Sequence, residues 1–150
     1  MNKSSRSLRN NNPLNIRLGN SQWKGLKKMQ TDGAFCQFET LKDGWRAAIV
    51  LLTNTYFNKY HADTIRKIIS RWAPQIENDT RGYIHFVSEW TQIDADEPLG
   101  SPSQYPGRWM AVALAMAMFE GGLTDVTPIV PALFQGWGMG LRLQRCSGRC

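Results

Sequence analysis

The segment WMAVALAMAMF, at residues 109–119, constrains the fold of this 150-residue chain more than any other stretch. It is apolar on all sides, so a helix formed from it has no face that suits water and belongs in the centre of a domain. Its eleven residues are much too few to span a bilayer. Glu120 follows directly, and Gly121 and Gly122 then predict the end of the helix.

The position of Glu120 predicts an unusual carboxyl group. An acidic side chain at the end of a buried helix, next to Met116 and Phe119, loses part of its hydration, and this loss raises its pKa. A carboxyl group with a raised pKa can act as a general acid near neutral pH. The alternative is that Glu120 only marks the place where the helix reaches water.

Length and composition predict a single globular domain. Hydrophobic residues make up 42% of the chain and charged residues 20%, which is typical of a folded protein with one core. We expect a flexible N-terminus at 1–7, one domain at 8–141 and a loose basic tail at 142–150. The formal net charge of +6 favours anionic partners.

The cysteine and histidine content favours neither a metal nor a cofactor. Cys36, Cys146 and Cys150 are odd in number and irregularly spaced, which does not fit a disulfide framework or a zinc site. The two histidines are too few for a histidine-based metal site. The basic N-terminal sequence MNKSSRSLRNNN has no apolar stretch after it, so it predicts no secretory signal. We therefore expect synthesis in the cytoplasm, with another component carrying the protein to any site outside it.

The rest of the sequence predicts a mainly α (α+β) fold. Two short segments between Gly, Asn and Asp residues in 8–40 predict a small N-terminal β-hairpin. After Thr40 the apolar residues recur at helical spacing. Besides the helix at 109–119, we predict four helices. The first begins at Thr40, and the second begins near Asp63 or Thr64 and ends before Pro74. The third follows ENDT at 77–80, and the fourth lies within 127–141.

Asparagines are concentrated in LRNNNPLNIR, at residues 8–17. Asparagine is unfavourable inside helices and favoured in turns, because its side chain hydrogen-bonds to the nearby backbone. The segment therefore predicts either a polar turn or a surface that binds neutral, polyhydroxylated or amide-bearing ligands such as amino sugars.

Several motifs together resemble phage and prophage peptidoglycan-degrading proteins of the lysozyme-like superfamily. The motifs are NNNPLNIR, WKG at 23–25, FCQF at 35–38, DGWRAA at 43–48 and IISRWAPQIENDTRGYI at 68–84. The first two are also similar to a stretch of bacterial wall glucosaminidases. The resemblance, over residues 8–140, implies a lysozyme-like helical domain that cleaves peptidoglycan glycan strands as a muramidase or lytic transglycosylase, with the asparagines lining the saccharide cleft.

The order of these motifs differs from that of most lysozyme-like enzymes, in which the helix with the catalytic glutamate precedes the Asn-rich region. Nothing before residue 8 can form that helix here, and the buried helix that ends in Glu-Gly lies near the C-terminus. We infer a circularly permuted arrangement, which is tolerable because the termini of a domain commonly lie close together. Glu120 then takes the family's general-acid role.

The resemblance leaves the second acid open between Asp32, in the predicted hairpin, and Glu77, in ENDT. Glu77 matches the family motif more closely, but an acidic residue there also suits the N-terminus of a helix. Without a second acid opposite Glu120, the C6 hydroxyl of the substrate can attack instead, as in lytic transglycosylases, and the product is then an anhydro sugar.

The resemblance also implies a set of substrate-binding residues. Trp23 has a structural alternative as a hairpin anchor, and Tyr83 fits the core by its helical spacing. Arg17 suits either an acidic residue of the cleft or a carboxylate of the peptide stem. The full set is Asn11, Asn12, Asn15, Arg17, Trp23, Asn78 and Tyr83.

The expected partners are peptidoglycan glycan strands and other phage virion or lysis proteins. We expect a monomer that reaches the cell wall after virion delivery or through a holin or secretion system. One alternative is a phage virion structural or wall-binding protein that keeps the fold and has lost the activity. A nucleic-acid binder is disfavoured, because the sequence has neither a recognisable motif nor a continuous basic helix.

Overall fold

The structure is a computed structural model that describes residues 5–75 and 79–147, with side chains up to residue 138. This part of the chain is mainly helical and contains no strand. None of its helices is both long enough and apolar enough to cross a membrane. The helices are α1 (Arg6–Arg9), α2 (Leu41–Val50), α3 (Ile65–Trp72), α4 (Thr80–Thr91), α5 (Pro106–Gly121) and α6 (Val130–Ser147), and a π-helical segment, Leu51–Lys59, continues α2.

The prediction of an N-terminal β-hairpin is wrong. Side-chain amides take the place of a strand ladder: Asn12 accepts from the N–H of Ile16 and donates to the carbonyls of Ile16 and Cys36. Gln30 accepts from the N–H of Gln37 and donates to its carbonyl. In the described residues, the extended segments pair only through two isolated antiparallel bridges, Arg17 to Phe35 and Leu26 to Phe38.

Side-chain caps begin four of the described helices. Ser5, Thr40, Thr64 and Asp79 each accept a hydrogen bond from the backbone N–H three residues later. These bonds satisfy donors that the first turn of a helix leaves without a partner. The helix starts predicted at Thr40 and near Thr64 are therefore confirmed.

Helix α5 runs through the core, as its composition predicts. It is longer than the apolar run, because Pro106 fits the first turn of a helix and Gly122, with φ of 61°, provides the left-handed residue that ends it. Its fully buried side chains include Trp109, Val112, Ala113, Ala115, Met116 and Ala117.

Helix α6 packs closely across α2. A Cβ on Gly136 would lie 2.7 Å from the Cβ of Trp45, so only glycine permits this approach. The indole of Trp45 donates a 3.1 Å hydrogen bond to the carbonyl of Ile129, just before α6. The backbone of α6 remains helical to Ser147, through most of the segment 142–150.

Helix α2 also lies directly against the Asn-rich segment, and Gly44 makes this contact possible. A Cβ on Gly44 would lie 1.8 Å from the carbonyl oxygen of Asn11. Because a backbone atom cannot turn aside like a flexible side chain, we expect Gly44→Ala to lower the free energy of unfolding by roughly 2–3 kcal/mol.

Gly107 in α5 is the matched control, since nothing lies within 4 Å of its Cβ position. Gly107→Ala should leave the free energy of unfolding unchanged or raise it by up to about 1 kcal/mol. Urea unfolding of both variants measures the difference. Equal midpoints for the two variants would contradict the close approach of α2 to Asn11.

Candidate active site

A cavity of about 420 Å³ lies at the C-terminal end of α5. Glu120 is the only carboxylate among its described lining residues. The Asn-rich segment, Phe35, the π-helical segment and the end of α3 with the two residues after it form the rest of the wall, so the cavity joins elements that are far apart in the sequence. Its lining includes Asn15, Arg17, Phe35, Tyr56, Trp72 and Pro74.

Two side chains hold the carboxyl group of Glu120. The hydroxyl of Tyr83 donates to Oε2 at 2.9 Å, and Nδ2 of Asn15 donates to Oε1 at 3.2 Å. Trp72 lines the cavity together with Glu120. Both carboxyl oxygens therefore have fixed partners, and the group has one orientation at the cavity wall.

Burial raises the pKa of Glu120 above its usual value, because the ionised form loses hydration. The hydrogen bonds from Asn15 and Tyr83 oppose this shift, as do the Trp72 side chain and the positive charge of Arg17. Burial has the largest effect, so the carboxyl group keeps its proton to a higher pH than an exposed glutamate does.

Tyr83 contacts Glu120 from the protein core and does not line the cavity. Its ring is buried and stacks on Phe119, with 4.1 Å between the ring centroids. Burial and the neighbouring carboxylate raise the pKa of Tyr83 well above its usual value. The hydroxyl therefore remains a hydrogen-bond donor to Glu120 at every pH at which the protein is expected to work.

Asn15 connects the Asn-rich segment to Glu120. Its φ of 51° lies in the left-handed region, which asparagine adopts more readily than other residues with a side chain, apart from aspartate. Its Nδ2 donates to both the carboxyl group and the carbonyl oxygen of Glu120. Its Oδ1 is buried and has no hydrogen-bond partner in the described part of the chain, so it is able to accept a further bond.

The other asparagines of the segment bond to the protein itself. Asn11, also in the left-handed region with φ of 52°, donates to the carbonyls of Phe38 and Glu39. Asn12 is fully buried in the bonds that replace the hairpin. Of the three asparagines predicted from this segment as substrate-binding, the structure brings only Asn15 to the cavity.

Asp32 lies in a different environment from Glu120. It pairs with both Nε and Nη2 of Arg6, at 2.7 and 2.6 Å, and accepts from the amide of Asn10 at 3.0 Å. The bond from Arg6 and those from backbone N–H groups and Asn10 hold the pKa of Asp32 well below its usual value. Asp32 does not line the cavity, and its contacts are those of a residue that fixes the N-terminal segment.

The remaining predicted residues divide as follows. Arg17 lines the cavity. Trp23 is half-buried against the core and is absent from the cavity wall. Glu77 and Asn78 lie outside the described residues.

Sequence reasoning missed the aromatic wall of the cavity. The helical spacing of Trp72 assigns it to the core, whereas the side chain is half-buried and lines the cavity with Glu120. Tyr56 and Trp72 pack with 5.5 Å between ring centroids, and burial raises the pKa of Tyr56 to about 12. Phe35 lines the cavity with them. A signal for Trp72 was its position two residues before Pro74, where a helix must end and its last side chains meet another element.

No group of three or more His, Cys, Asp or Glu side chains that could hold a metal ion occurs among the described residues. The chemistry that this site can perform with its own groups is proton transfer by Glu120, next to a wall of aromatic and amide side chains.

The sequence was compared with known proteins. No protein-family model matches it. It is 42% identical to Protein P5 of Pseudoalteromonas phage PM2 over 130 residues, which cover 85% of this chain and 78% of Protein P5. The similarity thus extends over most of both chains and links this one to a phage protein.

The raised pKa of Glu120 predicts a pH dependence of stability. Between the usual carboxyl value of 4.5 and the raised pKa, the folded protein binds more protons than the unfolded chain, so its stability falls as the pH rises. Glu120→Gln removes the titrating carboxyl group and with it this fall in stability. The variant's free energy of unfolding, relative to that of the wild type, should therefore increase with pH above 4.5 and level off beyond the raised pKa.

Glu89→Gln serves as the control, because Glu89 is exposed on α4. It removes a carboxyl group outside the cavity, so a pH trend that both variants share would not come from this site. Urea unfolding at a series of pH values measures both variants. A pH-independent difference for Glu120→Gln would mean that the carboxyl group is not perturbed in the folded protein.

Proposed function

The chain belongs to the family of Protein P5 of Pseudoalteromonas phage PM2, and we propose that it cleaves the glycan strands of peptidoglycan with Glu120 as the general acid. The observation that carries the proposal is the environment of Glu120. Its partly buried carboxyl group has a raised pKa and fixed hydrogen-bond partners, and it faces a cavity whose volume is within the usual range for ligand sites. The lysozyme-like relationship and the circular permutation are parts of the same proposal.

In the proposed reaction, the protonated carboxyl group donates its proton to the glycosidic oxygen of the bound strand. The bond between this oxygen and the anomeric carbon breaks, the leaving sugar departs as an alcohol, and positive charge develops on the anomeric carbon. The ionised Glu120 is then stabilised by the hydrogen bonds from Tyr83 and Asn15. These residues stabilise the carboxylate that proton transfer produces. Burial stabilises the protonated carboxyl group that starts the reaction.

The cavity wall suits an amino sugar. Tyr56, Trp72 and Phe35 offer apolar surface to the faces of sugar rings, and the unpartnered Oδ1 of Asn15 can accept a bond from a hydroxyl or acetamido N–H group. Arg17 adds positive charge at the same cavity and suits an anionic group of the substrate.

Two routes complete the reaction. In the first, Glu120 takes a proton from a water molecule, whose oxygen then bonds to the anomeric carbon. In the second, Glu120 takes the proton of the substrate's own C6 hydroxyl, whose oxygen closes an anhydro ring, so the product is one water lighter. The second route needs no carboxylate besides Glu120, which is the single carboxylate in the described wall.

The proposed setting is the bacterial cell wall. We propose peptidoglycan as the substrate of a monomer that is delivered with the virion or released through a holin or secretion system, together with other phage virion or lysis proteins. The phage relative supports the phage setting.

Glu120→Gln tests the proposal most directly. The substitution keeps the shape of the side chain and removes its proton-donating ability, so we expect the rate of wall lysis to fall by at least about 100-fold. Glu89→Gln, which changes the charge equally at an exposed site, should lyse walls at the wild-type rate. Turbidity of purified walls gives the rates, and mass analysis of the released muropeptides gives the cleaved bond and distinguishes hydrolysed from anhydro products.

If the wild type and both variants leave purified walls intact, the protein is a structural or wall-binding phage protein with this fold. If Glu120→Gln lyses walls as fast as the wild type, the enzyme uses another acid. Circular dichroism and unfolding midpoints confirm that each variant is folded before its activity is compared.

Tyr83→Phe tests how the hydrogen bond from Tyr83 affects the pKa of Glu120. Loss of the hydroxyl removes a hydrogen bond that favours the ionised form, so the pKa of Glu120 should rise further. Because the acid must be protonated, the alkaline limb of kcat/KM should move to higher pH. Tyr105→Phe is the control, since Tyr105 is exposed and outside the cavity. An unchanged alkaline limb in Tyr83→Phe would show that Glu120 does not set it.

A further inference from the structure

A second, more open cavity of about 540 Å³ adjoins the one at Glu120. Pro74 lines both cavities. We call the group formed by Tyr60, Lys67 and Arg71 the cationic shelf, because these side chains line the second cavity and two of them are positively charged.

The shelf and the first cavity are continuous through aromatic contacts. The ring of Tyr56, in the first cavity, packs on Trp72 on one side and edge-on against Tyr60 on the other, with centroids 5.5 and 5.8 Å apart. Arg71 and Trp72 are consecutive in α3, and Arg71 lines the shelf while Trp72 lines the first cavity with Glu120. A ligand that occupies the cavity can therefore extend onto the shelf.

The position of the Arg71 guanidinium group suits contact with an anion. Its guanidinium group lies 3.8 Å above the centre of the Tyr60 ring, which fixes the plane of the group while leaving the side chain exposed. No carboxylate pairs with Arg71 among the described residues. Lys67, by contrast, already has Asp63 at 3.2 Å. Arg71 is thus the shelf cation with the most capacity for an external partner.

We infer that the cationic shelf binds a carboxylate of the peptide stem carried by the glycan strand, so that the protein recognises peptide-bearing strands over stripped ones. This inference rests on the proposed function. The sugar rings of the strand are largely neutral, and its carboxylates belong mainly to the stems. A planar guanidinium group matches a carboxylate in geometry as well as charge, and the shelf lies beside the cavity proposed for the sugars.

The test compares two soluble substrates, glycan strands that keep their stems and strands from which an amidase has removed them. For Arg71→Gln we expect kcat/KM to fall roughly three- to fivefold on stem-bearing strands, the usual range for an exposed charge contact. On stripped strands the variant should stay within about twofold of the wild type. The loss on stem-bearing strands should shrink as salt is added.

Arg66→Gln is the matched control. Arg66 is an exposed arginine on the same helix, but it pairs with Asp96 at 2.8 Å and does not line the shelf. Both variants remove one positive charge, so the same loss in both would reflect net charge and overturn the inference. Equal losses on both substrates for Arg71→Gln, or no loss on either, would overturn it as well.

A binding measurement distinguishes failure of this inference from failure of the proposed function. If the wild type cleaves neither substrate, the proposed cleavage is wrong. The inactive protein is then titrated with a disaccharide that carries a stem peptide and with the bare disaccharide. Its tryptophan fluorescence measures the affinity for each fragment and thereby tests the shelf. Tighter binding of the stem-bearing fragment that Arg71→Gln abolishes supports the shelf, and equal binding of the two fragments overturns it.

Discussion

The hydrogen bonds between Asn15 and Glu120 join parts of the chain that are 105 residues apart. The amide of Asn15 reaches both the carboxyl group of Glu120 and its backbone carbonyl, one of the last carbonyls of α5 that have no partner within the helix. One side chain thus completes the end of the buried helix and orients its acid. The Asn-rich segment forms one part of the cavity wall, so its other contacts help to hold that part of the wall in place.

Those contacts explain why the segment is so rich in amides. Asn11 and Asn12 tie it to the backbone of residues 16 and 36–39, and the salt bridge of Arg6 with Asp32 fixes its beginning. Gly44 lets the carbonyl of Asn11 lie directly on α2. Amides can donate and accept at once, which suits a segment that must satisfy its own backbone without a sheet.

The local signals in the sequence predicted the longer helices and the position of Glu120 at the end of one of them, but not the short helix α1. An apolar run followed by an acid and two glycines predicts a buried helix and its end without any knowledge of the rest of the fold, and the structure has α5 there. The hairpin prediction failed because alternating short segments do not show that side chains such as Gln30 and Asn12 will take up the backbone bonds. Trp72 was missed for a related reason. Helical spacing identifies the face that is covered, but not whether core or cavity lies against its final turn.

The last turn of α3 sets the relation between the two proposed subsites. Trp72 lines the cavity with Glu120 and Arg71 lines the shelf. Both belong to a regular helix that is capped at Thr64 and anchored in the core by Ile65, Ile68 and Ile69. Sites built on such an element keep their spacing better than sites on loops. A strand bound with one stem on the shelf would therefore present a fixed bond to Glu120, and the position of cleavage along the strand would follow from the geometry of a single helix.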